Sequence, residues 1–347
     1  MLATLASDAL IDGAYRWLCH QRRHWPADAD IWELRFHWTE AKLSIQQALA
    51  KGDYRFEALA RVTKTDGETV HVWSSRDALV LKALAIVLRN RLPVSKRCTH
   101  IKGHGGAKAA VRAVRDSLGD YGFVMRTDVK RYYDSIDHYK MIEQLARYVD
   151  DRSVLNLLWQ VMHRTVTWGG LYRDCERGIS RGCPLSPLLG AFFLHELDVA
   201  MAHHDVFYVR FMDDIVVLAS TRWRLRRAIK TLNAGLASLR REKHPDKTFI
   251  GRIKRGFDFL GYHFDRRHPA IASATLARAV ERMTRLYEQG ATDPRSAVLD
   301  EYVRRWCRWA RAGLHRYAVF IALPALFLSY VPPPASITQR HAQEPNA

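Results

Sequence analysis

Two adjacent acidic residues, Asp213 and Asp214, stand between two apolar runs that are rich in β-forming residues. The runs predict strands at 207–211 and 215–219, joined as a hairpin with the two acids at its tip. Neighbouring carboxylates repel each other and lose solvation beside an apolar sheet, so a cation would stabilise this tip. Divalent cations with oxygen ligands are the usual solution, and a plain solvated turn is the alternative.

A second acidic segment predicts a strand that ends at Asp128, followed by a tight connection and a helix. That helix begins near Ser135 or Asp137, either of which can cap it, and runs to Val149. Helix capping accounts for Asp134 and Asp137 but not for an acid at the end of a strand.

Pairing of this strand beside the predicted hairpin would bring Asp128 close to Asp213 and Asp214. Three carboxylates around one point would form a two-metal site for in-line phosphoryl transfer, with metals roughly 3.5–4 Å apart.

The composition limits the partners of the chain. Its 347 residues suit about two domains, and a net charge of +18 predicts a polyanionic partner, nucleic acid before an anionic membrane. The five cysteines show no paired spacing, which argues against a zinc ribbon or a disulfide scaffold and favours reduced thiols and a cytoplasmic protein. Asp8 and Asp12 interrupt the first apolar stretch, so no signal peptide is predicted.

The remaining pattern is mostly helical. It predicts helices over 1–50, 76–91, 222–241, 273–289 and 296–312, a hairpin at 61–64 and 68–73, and a strand at 257–264. The last two helices carry Arg278, Arg282, Arg304 and Arg308, which either track a phosphate backbone or form solvated faces. The apolar run 317–331 is too short to span a membrane.

Taken in order, these segments resemble bacterial reverse transcriptases, most closely the group II intron and group II-like class, over about 60–312. The strand ending in Asp128 is similar to the first catalytic motif of that family. Four further segments resemble the template- and nucleotide-contacting motif, the aromatic-X-Asp-Asp box and the next two palm motifs, at 179–189, 211–214, 244–248 and 257–262. Asp-Asp alone is a weak signal, but five motifs in the right order make the resemblance strong.

The resemblance implies an α+β fold, the right-hand polymerase. Its parts would be an N-terminal extension and fingers at 1–120, a palm with an antiparallel sheet at 121–268, a short helical thumb at 269–313, and an apolar segment with a disordered tail at 314–347. The implied activity is RNA-directed DNA polymerisation, in which a DNA or RNA primer on an RNA template is extended with dNTPs.

The resemblance also assigns roles to single residues. Asp128 and Asp213 would hold two Mg²⁺ ions, or Mn²⁺ instead, with the Val129 carbonyl, and Asp214 would support them. Tyr133 would lie under the incoming sugar and exclude a ribose 2′-hydroxyl, or it is a core aromatic. Lys247 would protonate the leaving pyrophosphate, or it is an ordinary surface lysine.

The chain departs from the family pattern at three places. Ser180-Arg181-Gly182 stands where the family usually has Pro-Gln-Gly, and Met212 stands where intron enzymes commonly have Ala. In the fingers hairpin Lys64 is retained, while the region of the usual triphosphate-binding Arg reads Glu68-Thr69-Val70. We therefore expect Arg181 to take over part of the triphosphate contact, since Arg can grip phosphate in a bidentate way.

No maturase, DNA-binding or nuclease segment is recognised after residue 312, so a free-standing enzyme is expected, used in phage defence or DNA repair. A dedicated non-coding RNA or a neighbouring gene product would be its partner. Two alternatives stay open. One is a nucleic-acid-binding scaffold or splicing cofactor with an inactive site, against which the three intact aspartates argue; the other is a polymerase that needs little or no template.

Overall fold

The computed structural model describes residues 1–63, 69–266, 269–289 and 297–314. The chain divides into two compact units, Met1–Arg255 and Gly256–Ala347. The helices and strands of the first unit are α1 (Leu2–Leu5), α2 (Asp8–Gln21), α3 (Asp30–Phe36), α4 (Trp38–Lys51), β1 (Leu59–Thr63), β2 (Thr69–Val72), α5 (Ser75–Arg89), α6 (Gly106–Ser117), β3 (Phe123–Thr127), α7 (Tyr132–Ser135), α8 (His138–Leu145), α9 (Arg152–Met162), β4 (Thr165–Trp168), β5 (Leu171–Asp174), α10 (Ser186–Phe193), α11 (His195–Ala202), β6 (Phe207–Phe211), β7 (Asp214–Ala219), α12 (Arg222–Ser238) and β8 (Phe249–Arg252).

The described part of the second unit is a small antiparallel sheet with two amphipathic helices. Its elements are β9 (Phe257–Phe259), β10 (Tyr262–Phe264), β11 (Ala270–Ile271), α13 (Ser273–Gln289) and α14 (Ala297–Gly313). The side chain of Tyr262 stacks on Trp309, at 4.9 Å between ring centroids, so this sheet and α14 share one packed core.

The central sheet of the first unit has the strand order β6-β7-β3-β8, and all its pairs are antiparallel. Its middle strands are apolar: Val124 and Met125 of β3 and Ile215 to Ala219 of β7 are all buried. The predicted hairpin is confirmed as β6 and β7, and the strand that leads to Asp128 does pair beside it, with Thr127 opposite Ile215.

A second sheet of the first unit has the order β2-β1-β4-β5. The hairpin of β4 and β5 was not predicted, although Gly169 and Gly170 at its turn, both at positive φ, were the available signal. The predicted hairpin at 61–73 is present as β1 and β2, and Lys64 and Glu68 lie outside the described residues.

Two predicted elements differ in the structure. The helix that starts after Asp137 ends at Leu145, not at Val149, because residues 147–149 continue as hydrogen-bonded turns. The segment 257–264 is two antiparallel strands, since Leu260 and Gly261 both adopt positive φ and reverse the chain.

The α+β class is confirmed, and helices over 1–50 are present as α1 to α4. No described helix is long and apolar enough to cross a membrane. The apolar run at 317–331 and nearly all of the segment 314–347 lie outside the described residues, and the division into fingers, palm and thumb stays a prediction.

Candidate active site

Asp128 lies at the end of β3, directly beside the turn that carries the acidic pair. The backbone on both sides holds it there: the Val129 N–H donates to the Asp213 carbonyl oxygen at 3.3 Å, and the His244 N–H donates to the Asp128 carbonyl oxygen at 2.7 Å. The expected proximity of Asp128 to Asp213 and Asp214 therefore follows from backbone contacts.

The hairpin turn is tight, because Phe211 pairs directly with Asp214 and only Met212 and Asp213 lie between them. Met212 has a φ of +56°, in the left-handed region that side chains other than glycine rarely adopt. Asp213 directly follows this strained residue.

The three acids differ in their partners. Burial, with the charge of Asp128 second, raises the pKa of Asp213 to about 6. Burial also raises the pKa of Asp214, against the charge of Arg126, whose Nη2 lies 3.2 Å from its Oδ1. Asp128 accepts a hydrogen bond from Lys247, whose Nζ lies 2.8 Å from Oδ2. Asp213 is thus the acid whose charge is least compensated.

Within the described residues, no three His, Cys, Asp or Glu side chains converge tightly enough to form a ready metal site. The donor chemistry still fits a divalent cation, because two close carboxylates repel each other and Asp213 is disfavoured in its charged form. Asp128 and Asp213 are the residues that would hold such an ion, and Arg126 directs Asp214 toward itself.

A fully buried arginine lies under the turn that carries Asp213 and Asp214. Arg210 of β6 forms a two-pronged ion pair with the buried Asp198 of α11, with Nε to Oδ1 and Nη2 to Oδ2 both at 2.7 Å. The same guanidinium donates to the carbonyl oxygen of Met212 at 2.9 Å and to that of Ala191 at 2.7 Å. The ion pair therefore links the turn to two neighbouring helices.

Tyr133 lies close to the acids and to the segment that follows β5. The charge of Asp213 contributes, after burial, to raising the pKa of the Tyr133 phenol to about 12. The Ile179 N–H donates to the Tyr133 carbonyl oxygen at 2.7 Å. Gly178 must be glycine there, because its φ is +79° and a Cβ would lie 2.6 Å from the backbone of Asp134.

Arg181 and Gly182 line a cavity of about 740 Å³, with Trp17, Trp25 and His71 on its other walls. The guanidinium of Arg181 pairs with the Asp134 carboxylate at 2.5 Å, and both side chains are exposed. Exposed pairs of this kind contribute little stability, so the contact leaves Arg181 available to another anion.

The four arginines predicted to bind nucleic acid are exposed on α13 and α14 of the second unit: Arg278, Arg282, Arg304 and Arg308. Arg278 donates to the Ala274 carbonyl oxygen on its own helix, and Arg304 lies 3.9 Å from Glu301. A role for them in binding nucleic acid stays a prediction.

Sequence reasoning missed several residues that position the turn. Arg210 pairs with Asp198, and His100 accepts from the Met212 N–H, only once the chain has folded. Arg126, which contacts Asp214, was not singled out either. The available signal was Arg210 itself, a charged residue in the middle of the otherwise apolar strand 207–211.

Comparison with known proteins agrees with this arrangement. Residues 81–264 match the family described as reverse transcriptase (RNA-dependent DNA polymerase), which is just over half of the chain and includes all three acids. Protein YkfC of Escherichia coli is 24% identical over 237 residues, covering 55% of this chain and 61% of that protein. The group II intron-encoded protein LtrA of Lactococcus lactis is 24% identical over 169 residues, covering 46% of this chain and 28% of LtrA.

The chain thus spans less than two thirds of the length of these curated relatives. The match nevertheless includes the strand that leads to Asp128, the segment 179–189 with its Ser186-Pro187 pair (the Ser-Pro segment) and the Asp-Asp hairpin, in the same order as the resemblance predicted. On these grounds the chain belongs to the reverse transcriptase family, with group II intron-encoded proteins among its relatives.

Proposed function

We propose that this chain extends a primer 3′-hydroxyl with dNTPs on an RNA template by two-metal phosphoryl transfer. The observation that carries the proposal is the position of the Asp213-Asp214 turn beside the end of the strand that leads to Asp128. This pair of elements lies inside the matched reverse transcriptase region.

In this mechanism Asp128 and Asp213, with the Val129 carbonyl, would hold two Mg²⁺ ions, or Mn²⁺ in their place. When bound, the ions supply charge stabilisation at the attacking and leaving oxygens of the displacement. Asp214, which forms an ion pair with Arg126, would support them. Lys247, which contacts Asp128 in the structure, would release Asp128 when a metal binds and would donate a proton to the departing pyrophosphate.

The incoming nucleotide would lie between Tyr133 and the segment that carries Arg181 and Gly182. Its sugar would pack on the Tyr133 ring and on Met212, which leaves no room for a 2′-hydroxyl. Arg181 would exchange Asp134 for the triphosphate, with Lys64 and Lys247 as further cations. The cavity of about 740 Å³ that Arg181 and Gly182 line supports a place for the triphosphate beside Arg181.

The test of the polymerase site is the double variant Asp213→Ala with Asp214→Ala. Extension of a primer on an RNA template in Mg²⁺ should fall to the level of an enzyme-free blank. A matched control, Asp116→Ala with Asp120→Ala, removes two exposed acids that lie elsewhere in the chain and should keep full activity. Synthesis above the blank by the first variant, with its circular dichroism unchanged, would exclude this site.

Omission of the template separates the proposal from its alternatives. A templated enzyme should incorporate nucleotides only when RNA is present, whereas incorporation without it would identify a template-independent polymerase. A wild-type chain that binds RNA and incorporates nothing would be the nucleic-acid-binding scaffold.

Arg181→Gln tests the nucleotide contact. Loss of a charge-assisted phosphate contact should raise the dNTP KM about tenfold with kcat changed little. Arg181→Lys keeps the charge but not the bidentate geometry and should give an intermediate KM. An unchanged KM in Arg181→Gln would exclude the contact.

The proposal extends to a dedicated non-coding RNA or neighbouring gene product, and to a role in phage defence or DNA repair. The net charge of +18 supports an RNA partner. Sequencing of RNA that co-purifies with the chain, against the Asp213→Ala, Asp214→Ala variant, identifies the template. Phage plating on cells that express the wild type or this double variant tests the role in defence. That role predicts fewer plaques on cells with the wild type than on cells with the variant.

A further inference from the structure

The backbone of Met212 is held by two side chains. Its N–H donates to Nδ1 of His100 at 3.1 Å, and its carbonyl oxygen accepts from Nη1 of Arg210 at 2.9 Å. Because Met212 has a φ of +56°, its conformation persists only if the surroundings stabilise it. The next residue is Asp213, so these two bonds control where its carboxylate lies.

The imidazole of His100 has a second partner on another segment. Its Nε2 lies 3.0 Å from the carbonyl oxygen of Pro187, in the first turn of α10 and directly after the segment that carries Arg181. Since the Met212 N–H can only donate, Nδ1 must be the acceptor and Nε2 must carry the ring proton. The Cys98 sulfur lies 3.3 Å from the same Nδ1.

Burial lowers the pKa of His100 to about 4, so the ring is neutral at neutral pH and keeps Nδ1 as an acceptor. One neutral ring therefore bridges the catalytic turn and the Ser-Pro segment.

The geometry points to His100 as a positioning residue for the proposed polymerase reaction: it holds the Met212 turn, and with it the Asp213 carboxylate, in register with the nucleotide-contacting segment. This inference rests on the proposed function. Misplacement of a reacting group by about 1 Å can cost 10²-fold in rate, so a side chain that fixes this register is valuable even though it touches no substrate.

The loop that carries His100 does not depend on the imidazole to stay in place. The Thr99 N–H donates to the Arg210 carbonyl oxygen at 3.0 Å, and the Arg210 N–H donates to the Arg97 carbonyl oxygen at 3.0 Å. The Gly106 N–H donates to the Thr99 carbonyl oxygen at 2.9 Å. Replacement of the ring should therefore leave this loop attached to β6.

Three substitutions of His100 test its hydrogen bonds separately. His100→Phe keeps an aromatic ring and removes the hydrogen bonds to Met212 and Pro187 together with the contact to the Cys98 sulfur. His100→Asn places an acceptor oxygen near the position of Nδ1 and so retains the bond to Met212. His100→Gln places an amide N–H near the position of Nε2 and so retains the bond to Pro187. His104→Phe is the matched control, because His104 lies in the same loop and its imidazole Nδ1 lies 2.9 Å from the Cys98 carbonyl oxygen.

The readouts are Mn²⁺ affinity without nucleotide, followed by electron paramagnetic resonance, and kcat and dNTP KM in primer extension. For His100→Phe we expect Mn²⁺ binding weaker by about fivefold and kcat lower by about tenfold, which corresponds to the loss of one or two ordinary hydrogen bonds. His100→Asn should recover most of the Mn²⁺ affinity, His100→Gln should recover less, and His104→Phe should match the wild type.

Wild-type Mn²⁺ affinity and kcat in His100→Phe would overturn the inference. Equal losses in His100→Phe and His104→Phe would also overturn it, because the loop as a whole and not the imidazole would then matter. So would an absence of recovery in His100→Asn. Failure of the proposed function is a separate result: the wild type would not extend a primer, while its Mn²⁺ affinity would still report on His100.

Discussion

Lys247 and Asp128 form an ion pair at the centre of the candidate site, with Nζ 2.8 Å from Oδ2. Lys247 ends a short 3₁₀ turn, Pro245–Lys247, which lies 119 residues from Asp128 along the chain. The hydrogen bond to Asp128 raises the pKa of Lys247, so the amine stays charged. A lysine thus occupies one oxygen of the acid that the proposed mechanism needs for a metal.

Lys247→Met should change metal binding and turnover in opposite directions. Removal of the competing ammonium should strengthen Mn²⁺ binding by a few-fold, while loss of the proposed proton donor should lower kcat by about 10²-fold. Lys247→Arg keeps the positive charge but does not readily release a proton. It should therefore lower kcat without strengthening Mn²⁺ binding. Weaker Mn²⁺ binding together with normal kcat in Lys247→Met would contradict both roles.

Tyr133 is predicted to select deoxynucleotides by its bulk. Tyr133→Ala should raise the efficiency of ribonucleotide incorporation relative to dNTPs by about 10- to 100-fold, the range expected when one steric clash is removed. Single-nucleotide extension with CTP and dCTP on the same primer measures this ratio. An unchanged ratio would place Tyr133 among the core aromatics.

Gly190→Ala provides an independent test of the position of the Tyr133 ring. A Cβ at this position of α10 would lie 3.1 Å from the Tyr133 hydroxyl, so the ring must shift by a few tenths of an ångström. The expected result is a raised dNTP KM without any gain in ribonucleotide use. A gain in ribonucleotide use would show that the ring had moved away from the sugar.

The buried ion pair of Arg210 and Asp198 should contribute strongly to the stability of the central sheet. Asp198→Leu or Arg210→Met leaves one buried charge uncompensated, which typically costs about 3–5 kcal/mol of the free energy of unfolding. The double variant Asp198→Leu with Arg210→Met should lose much less than the sum of the two single changes. Urea unfolding of the three variants checks this, and additive losses would contradict it.

Asp77 in α5 should make stability depend on pH. It is almost fully buried, accepts hydrogen bonds from the Tyr54 hydroxyl at 2.7 Å and the Glu57 N–H at 2.9 Å, and burial raises its pKa to about 6. Its folded pKa lies above the ordinary value of 3.8, so the folded state binds the proton more tightly and gains stability as the pH falls through 6.

Relative to Asp77→Asn, the wild type should therefore gain about 1 kcal/mol in the free energy of unfolding between pH 7.5 and pH 5. Urea unfolding of both proteins at the two pH values measures the difference between their free energies of unfolding. The contributions of most other titrating groups are the same in both proteins and cancel in this difference. A difference that is constant with pH would show that the carboxyl titrates normally.

Much of the candidate site was visible in the sequence because its signals are local. An acid pair between two β-forming runs predicts a hairpin tip, and the order of five short motifs predicts the family, since both depend only on residues near one another in the chain. The hairpin, the strand before Asp128 and the helical N-terminus all formed as expected. The prediction of a single strand at 257–264 was wrong because Leu260 adopts a positive φ. The residue type gives no sign of this, since leucine rarely adopts that conformation.

Tertiary structure alone decided which side chains hold those acids. Lys247 reaches Asp128 across 119 residues, Arg126 reaches Asp214 across 88, and His100 reaches Met212 across 112. Periodicity specifies which face of a strand or helix is apolar, but not which strand becomes its neighbour or in what register. The acids could therefore be identified from the sequence. Their partners and their shifted pKa values arise only when the strands pair and water is excluded.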